Sequence, residues 1–156
     1  MSTRGHVAIK ENGKYKYIYN HQDSYINELG KTLFNYYNTA YKVRELINLG
    51  DTSHIGTTIN NYAKSYRRYC EVHIPNKKYR SETVAYFRDG NRWGDYNGQK
   101  RTYEQCVAKE TKDIKEVLQQ EYVYIFDVAE NKWYVACENE KYILKKLEVV
   151  INSLDN

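Results

Sequence analysis

Apolar and polar positions alternate over residues 6–10 (His6-Val7-Ala8-Ile9-Lys10) and again over 14–20, with Asn12-Gly13 between them. Period-two alternation on both sides of an Asn-Gly pair predicts a β-hairpin, because both residues accept the left-handed backbone of a two-residue turn. The return strand puts Tyr15, Tyr17 and Tyr19 on one face and Lys14 and Lys16 on the other. The period then becomes helical. Ile26, Leu29, Leu33, Phe34 and Tyr37 share one face, with Ser24 placed to cap a helix running to about residue 38. Val43, Leu46 and Ile47 predict a second short helix over about 40–49, stopped by Gly50. Residues 51–56 read as a loop.

Beyond the loop, Ile59, Tyr62, Ala63, Tyr66, Tyr69 and Cys70 fall on one side of a helix, and Lys64, Arg67 and Arg68 on the other. Pro75 and Asn76-Lys77-Lys78 end that pattern. A strand over 83–88 and a Gly-rich loop over 89–98 follow. Tyr103, Cys106, Val107, Ile114, Val117 and Leu118 predict a helix over about 102–119. Residues 122–128 and 132–138 form a second hairpin around Ala129-Glu130-Asn131, and a stripe from Ile143 to Leu154 predicts a final helix over about 140–154. Strands arriving as hairpins, not as alternating βαβ units, imply one α+β domain over 1–156. Its sheet is expected to be antiparallel, with about five strands and helices packed on it.

Composition adds limits. At 156 residues and 41% hydrophobic, the chain suits one modest core, and no apolar run approaches the ~20 residues of a membrane span. Its hydrophobic fraction is unusual in holding 18 Tyr against 3 Phe and 2 Trp. An AT-rich coding bias explains this, since Asn, Lys and Ile are also abundant. A tyrosine-lined interaction surface is the rival account, in which Tyr79, Tyr96 and Trp93, with Tyr25 apart from them, are the candidates. Cys70, Cys106 and Cys137 are too far apart for a Cys-x-x-Cys metal site and odd in number, so buried thiols in a reducing cytoplasm are expected. The N-terminus has no apolar signal-peptide segment, which also points to the cytoplasm. No cofactor or metal is expected.

Charge divides the chain. Residues 1–59 carry a net +2, residues 60–101 a net +6 and residues 102–156 a net −4. The basic middle interleaves Lys64, Arg67, Arg68, Lys77, Lys78, Arg80, Arg88 and Arg92 with Tyr79, Trp93 and Tyr96. Cations on phosphates and aromatic rings on bases are how proteins hold RNA or single-stranded DNA. A solvated basic face with its tyrosines in the core is the plain alternative. The net positive charge argues against mimicry of a nucleic acid by the whole surface.

Chemistry offers less. His21 and Asp23 are two apart, so in an extended segment they project from one face as an acid/base pair or part of a ligand site. Alternatively, Asp23 and Ser24 cap the first helix while His21 bonds nearby backbone. His54 lies without a paired motif and reads as an ordinary loop residue. Gly90, Gly94 and Gly98 lack the Lys-Ser/Thr of a phosphate loop, and no Ser or Cys has a nucleophile's context.

Several blocks carry a likeness: Thr3-Arg4-Gly5-His6-Val7-Ala8, then Ile18-Tyr19-Asn20-His21-Gln22-Asp23-Ser24-Tyr25, then Leu49-Gly50-Asp51-Thr52-Ser53. Thr83-Val84-Ala85-Tyr86 and Tyr122-Val123-Tyr124-Ile125-Phe126 extend it. With these the chain resembles a family of small uncharacterised proteins of phages and bacterial mobile elements, marked by a His-x-Asp-x-Tyr block. Gln22, Ser24 and Ile26 stand where many members have Trp, Gly and Pro. The resemblance implies phage or prophage origin and an anti-defence role such as that of an anti-CRISPR. The expected function is therefore stoichiometric occlusion of a bacterial defence protein or ribonucleoprotein through the basic middle. The rival expectations are an enzyme using His21 and Asp23 on a nucleic acid or signalling nucleotide, and an RNA-binding accessory protein.

Overall fold

The structure, a computed structural model, describes residues 3–59, 83–85 and 106–154. The first hairpin forms as expected. Strand β1 (Gly5–Glu11) pairs antiparallel with β2 (Lys14–Asn20), and Asn12 (φ 55°) and Gly13 (φ 76°) make the left-handed turn. The second hairpin, β6 (Tyr122–Asp127) with β7 (Lys132–Cys137), also forms, with Asn131 left-handed at φ 56°.

Among the described residues, one mixed sheet contains eight strands. Seven run in the order β4-β3-β2-β1-β6-β7-β8, where β3 is Thr52–His54, β4 is Val84–Ala85 and β8 is Lys145–Lys146. The eighth, β5 (Lys109–Thr111), shares the outer edge of β2 with β3, facing Tyr15 to Tyr17 while β3 meets Asn20. The α+β class holds. The sheet is mixed, however, and not antiparallel throughout. The two hairpins join edge to edge through a parallel β1–β6 pairing, and β3 adds parallel to β2. Local patterning sees each hairpin and not the pairing of segments about 110 residues apart.

Helices cover both faces. On one, the π-helical turn Ile26–Gly30 and α1 (Lys31–Tyr36), α2 (Ala40–Ile47) and α4 (Leu147–Leu154) bury Leu29, Leu33, Val43, Leu46, Leu147 and Ile151. These meet Val7, Ile9, Ile18, Tyr124, Phe126 and Trp133 of the sheet. On the other face, the single turn α3 (Ile114–Val117) covers Ala8, Tyr17, Val123 and Ile125. Thr39 caps α2 by accepting from the Lys42 N–H. Among the described residues no helix is long and apolar enough to cross a membrane.

Two expected helices are cut short. The helix expected over 102–119 gives way to β5 and then α3, because the polar run Lys109-Glu110-Thr111 satisfies its backbone on the open edge of β2. Asp113 then caps α3 through the Lys115 N–H. The final helix starts at Leu147, not near 140, because Lys141 (φ 59°) and Tyr142 (φ 56°) are left-handed and β8 intervenes. Ile143 and Leu144 consequently lie exposed. The pattern over 60–70 and most of the strand expected over 83–88 lie outside the described residues; Val84–Ala85 is a strand.

Three aromatic side chains in the core, Tyr37, Tyr124 and Trp133, keep their polar tips bonded. Tyr37 donates to the Gly56 carbonyl (2.7 Å), the Trp133 indole donates to the Tyr37 carbonyl (2.8 Å), and Tyr124 donates to the Ser24 carbonyl (2.7 Å). Burial pushes the Tyr37 phenol up to about 12 and that of Tyr124 well above the usual tyrosine range. Cys106 and Cys137 are buried thiols, as expected; Cys70 lies outside the described residues.

Gly50 ends α2 at φ 82°, and a Cβ there would fall on the Cys106 carbonyl. Gly50→Ala should therefore destabilise by about 2 kcal/mol or more in urea unfolding, through left-handed strain and collision together. A neutral result would show that the contact yields without cost.

His6 gives a pH test. Its ring is buried under α3, with Nδ1 2.8 Å from the Val117 carbonyl, and burial lowers its pKa below 6.5. As pH falls, the unfolded chain takes the proton first, so stability is lost from about pH 6.5 down to the folded pKa. The melting temperature between pH 7.5 and 5 should drop more steeply for the native chain than for His6→Gln. Parallel curves would refute the assignment.

Candidate functional site

The His-x-Asp-x-Tyr block sits where β2 ends and is held by one buried carboxamide. Asn20 is fully buried. Its Nδ2 donates to the Gln22 carbonyl (2.8 Å) and to Ser24 Oγ (2.9 Å), and its Oδ1 accepts from Thr52 Oγ1 (2.8 Å). Backbone bonds continue the pairing past the strand: His21 N–H donates to the Thr52 carbonyl and Gln22 N–H to that of Ser53, both at 3.0 Å. Ser24 N–H reaches the Thr3 carbonyl, and Gly5 lies so close that a Cβ on it would stand 2.8 Å from the Ser24 Cβ.

Ser24 is thus no helix cap. Its hydroxyl belongs to the Asn20 network, and the helical segment begins after Tyr25 without a side-chain cap. Residues 51–56 are likewise no surface loop. They are buried and supply β3, because Asn20 and Thr52 satisfy each other inside. Asp51 is bound in as well: its Oδ1 accepts from the Tyr19 N–H (2.9 Å), and its own N–H donates to the Cys106 carbonyl (2.6 Å).

His21 and Asp23 go to different neighbours. Asp23 adopts φ 57°, which breaks the extended run that would have aligned the two side chains. The His21 ring stacks on Tyr19, with centroids 6.2 Å apart and planes at 26°. Asp23 Oδ2 lies 4.0 Å from Nδ1 of His54, whose side chain is 10% exposed against 51% for Asp23. The pair opens on a polar cavity of about 100 Å³, also lined by Tyr25, Glu28 and Thr32. His54, read from sequence as an ordinary loop residue, is therefore a buried strand residue beside a carboxylate. The signal for it was present: Asp51-Thr52-Ser53 and His21-Gln22-Asp23 are two of the blocks singled out, and they pair with each other. An Asp–His pair at this distance can exchange a proton through a small shift or hold a polar group in the cavity.

The other candidate residues lie outside the described part: Lys64, Arg67, Arg68, Lys77, Lys78, Tyr79, Arg80, Arg88, Arg92, Trp93 and Tyr96. The ends of their segments are visible. Thr83 N–H donates to the Thr58 carbonyl (3.1 Å), so the described residues on either side of 60–82 are neighbours. Residues 86–105 leave after Ala85, paired with Thr52, and return at Cys106, bonded to Asp51.

Asn20→Ala should cost roughly 3 kcal/mol in chemical denaturation, because Thr52, Ser24 and Gln22 each lose a buried partner. Asn20→Asp should not restore stability, since a carboxylate cannot donate to Ser24 or Gln22. A loss under ~1 kcal/mol for the alanine variant would mean that the network repairs itself. Family models, curated proteins and solved structures offer no match to this chain.

Proposed function

We propose that this is a small phage-type binding protein that inhibits a bacterial defence nucleoprotein by one-to-one occlusion. Its basic middle segment engages the RNA or DNA channel of the target or the nucleic acid lying in it. One observation carries this reading, the segregation of charge. The described residues hold 14 basic and 14 acidic side chains and are neutral as a set. Residues 60–82 hold 6 basic against 2 acidic, and residues 86–105 hold 4 against 3. The described residues that flank both segments lie near β3 and β4. The surplus cations thus belong to two sequence segments and not to the electrically balanced described residues, a segregation suited to phosphates. The phage origin and the defence target rest on the sequence resemblance.

Replacing Arg67, Arg68, Lys77 and Lys78 together with alanine should abolish inhibition and leave the melting temperature within a few degrees of the parent. Where the contact is to phosphate, the slope of log affinity against log salt should shrink by about 3 to 4. Inhibition by the native chain should saturate near one equivalent of target. Undiminished inhibition by the fourfold variant, or turnover far below stoichiometry, would refute occlusion by the charged segment.

A further inference from the structure

We infer that the cavity between α1, the tip of the second hairpin and α4 is a binding site for a mononucleotide. It uses no residue of the basic middle segment and stands by β7 and β8, at the edge of the sheet away from β3 and β4. The cavity holds about 190 Å³ and is lined by three aromatic rings. Phe34 of α1 is half-buried. Phe126 and Trp133, buried on neighbouring strands, meet edge to face with centroids 5.3 Å apart and planes at 69°. The Trp133 indole N–H is spent on the Tyr37 carbonyl, so these rings offer the cavity carbon surface alone. Such a wall accepts a planar, weakly polar group.

The rest of the lining is polar and unspent. Asn38 from the link after α1, Asn131 and Lys132 from the hairpin tip, Lys146 of β8 and Glu148 of α4 complete it, all of them exposed. Among the described residues, none of these five side chains makes a hydrogen bond or an ion pair. The acids next to the hairpin tip are committed elsewhere, Asp127 to Lys10 and Glu130 to the Tyr134 hydroxyl. Two ammonium groups against one carboxylate favour an anionic group, and a phosphate suits them. The two amides carry donors and acceptors for the edge of a base, and a carboxylate such as Glu148 accepts from ribose hydroxyls. Size agrees with this division. The cavity is smaller than the roughly 300–1,000 Å³ of drug-sized sites, so it takes the base and leaves sugar and phosphate at the rim.

The test is isothermal titration calorimetry of the native chain with AMP, UMP, adenosine and inorganic phosphate. Beside it, the emission of Trp133 is followed in a Trp93→Phe variant, where it is the only tryptophan. AMP and UMP should bind and change that emission, and adenosine and phosphate should each bind about 10-fold or more weaker than AMP. Lys132→Gln with Lys146→Gln alters only exposed side chains without partners, so the fold should hold. This variant should weaken AMP about 10-fold and leave adenosine within about 2-fold of the native chain. Phosphate binding as tightly as AMP, AMP binding untouched by the lysine variant, or no binding of either nucleotide would overturn the site. So would AMP binding that is lost on replacing Arg67, Arg68, Lys77 and Lys78 and kept by the lysine variant, since the nucleotide would then belong to the basic segment.

Discussion

The carboxamide of Asn20 is the constraint on which the site end of the molecule depends. A buried amide left without partners is costly, and this one spends both of its hydrogens and its oxygen on Gln22, Ser24 and Thr52. Each bond fixes something else. Thr52 brings β3 alongside β2, Gln22 closes the turn that follows the strand, and Ser24 sets the entry to the helical layer. Tyr124 then secures the Ser24 carbonyl from the second hairpin, tying the network to the middle of the sheet. Hydrophobic burial alone would allow the 21–24 segment several paths across the sheet end. The directional bonds of one amide select a single path.

The same economy governs the tyrosines. In a core built with so few phenylalanines, a phenol can replace a phenyl ring only when its hydroxyl reaches an acceptor. Tyr37 and Tyr124 do so, each spending its hydroxyl on a backbone carbonyl that has left regular secondary structure. Tyrosine therefore adds long-range ties between elements that apolar packing would leave free to slide. Tyr19 has a different situation at the end of the strand, where its ring meets another aromatic ring and its backbone N–H is held by Asp51.

Charge and fold are also linked. The described sheet and helices are electrically balanced, so the net +4 of the chain originates in residues outside them. Placing cations there avoids self-repulsion within the packed core.

Much of this architecture was legible in the sequence. Asn12-Gly13 with alternation on either side dictated the first hairpin, Asn131 and its flanking strands the second, and Val43, Leu46 and Ile47 the buried face of α2. These features are local: turn chemistry and periodicity act within a dozen residues, and the sequence by itself determines them. What tertiary structure decided were the outcomes that depend on distant partners. Lys109-Glu110-Thr111 is a strand because β2 has an open edge. Lys145-Lys146 is a strand because β7 has one, and the parallel β1–β6 pairing joins the two hairpins. The site divides in the same way. The sequence marked His21 and Asp23 as a pair by their spacing, but the left-handed turn at Asp23 sent one towards Tyr19 and the other towards His54. Spacing describes neighbours along an extended chain; which groups finally meet is set by backbone hydrogen bonds that must be satisfied across the fold.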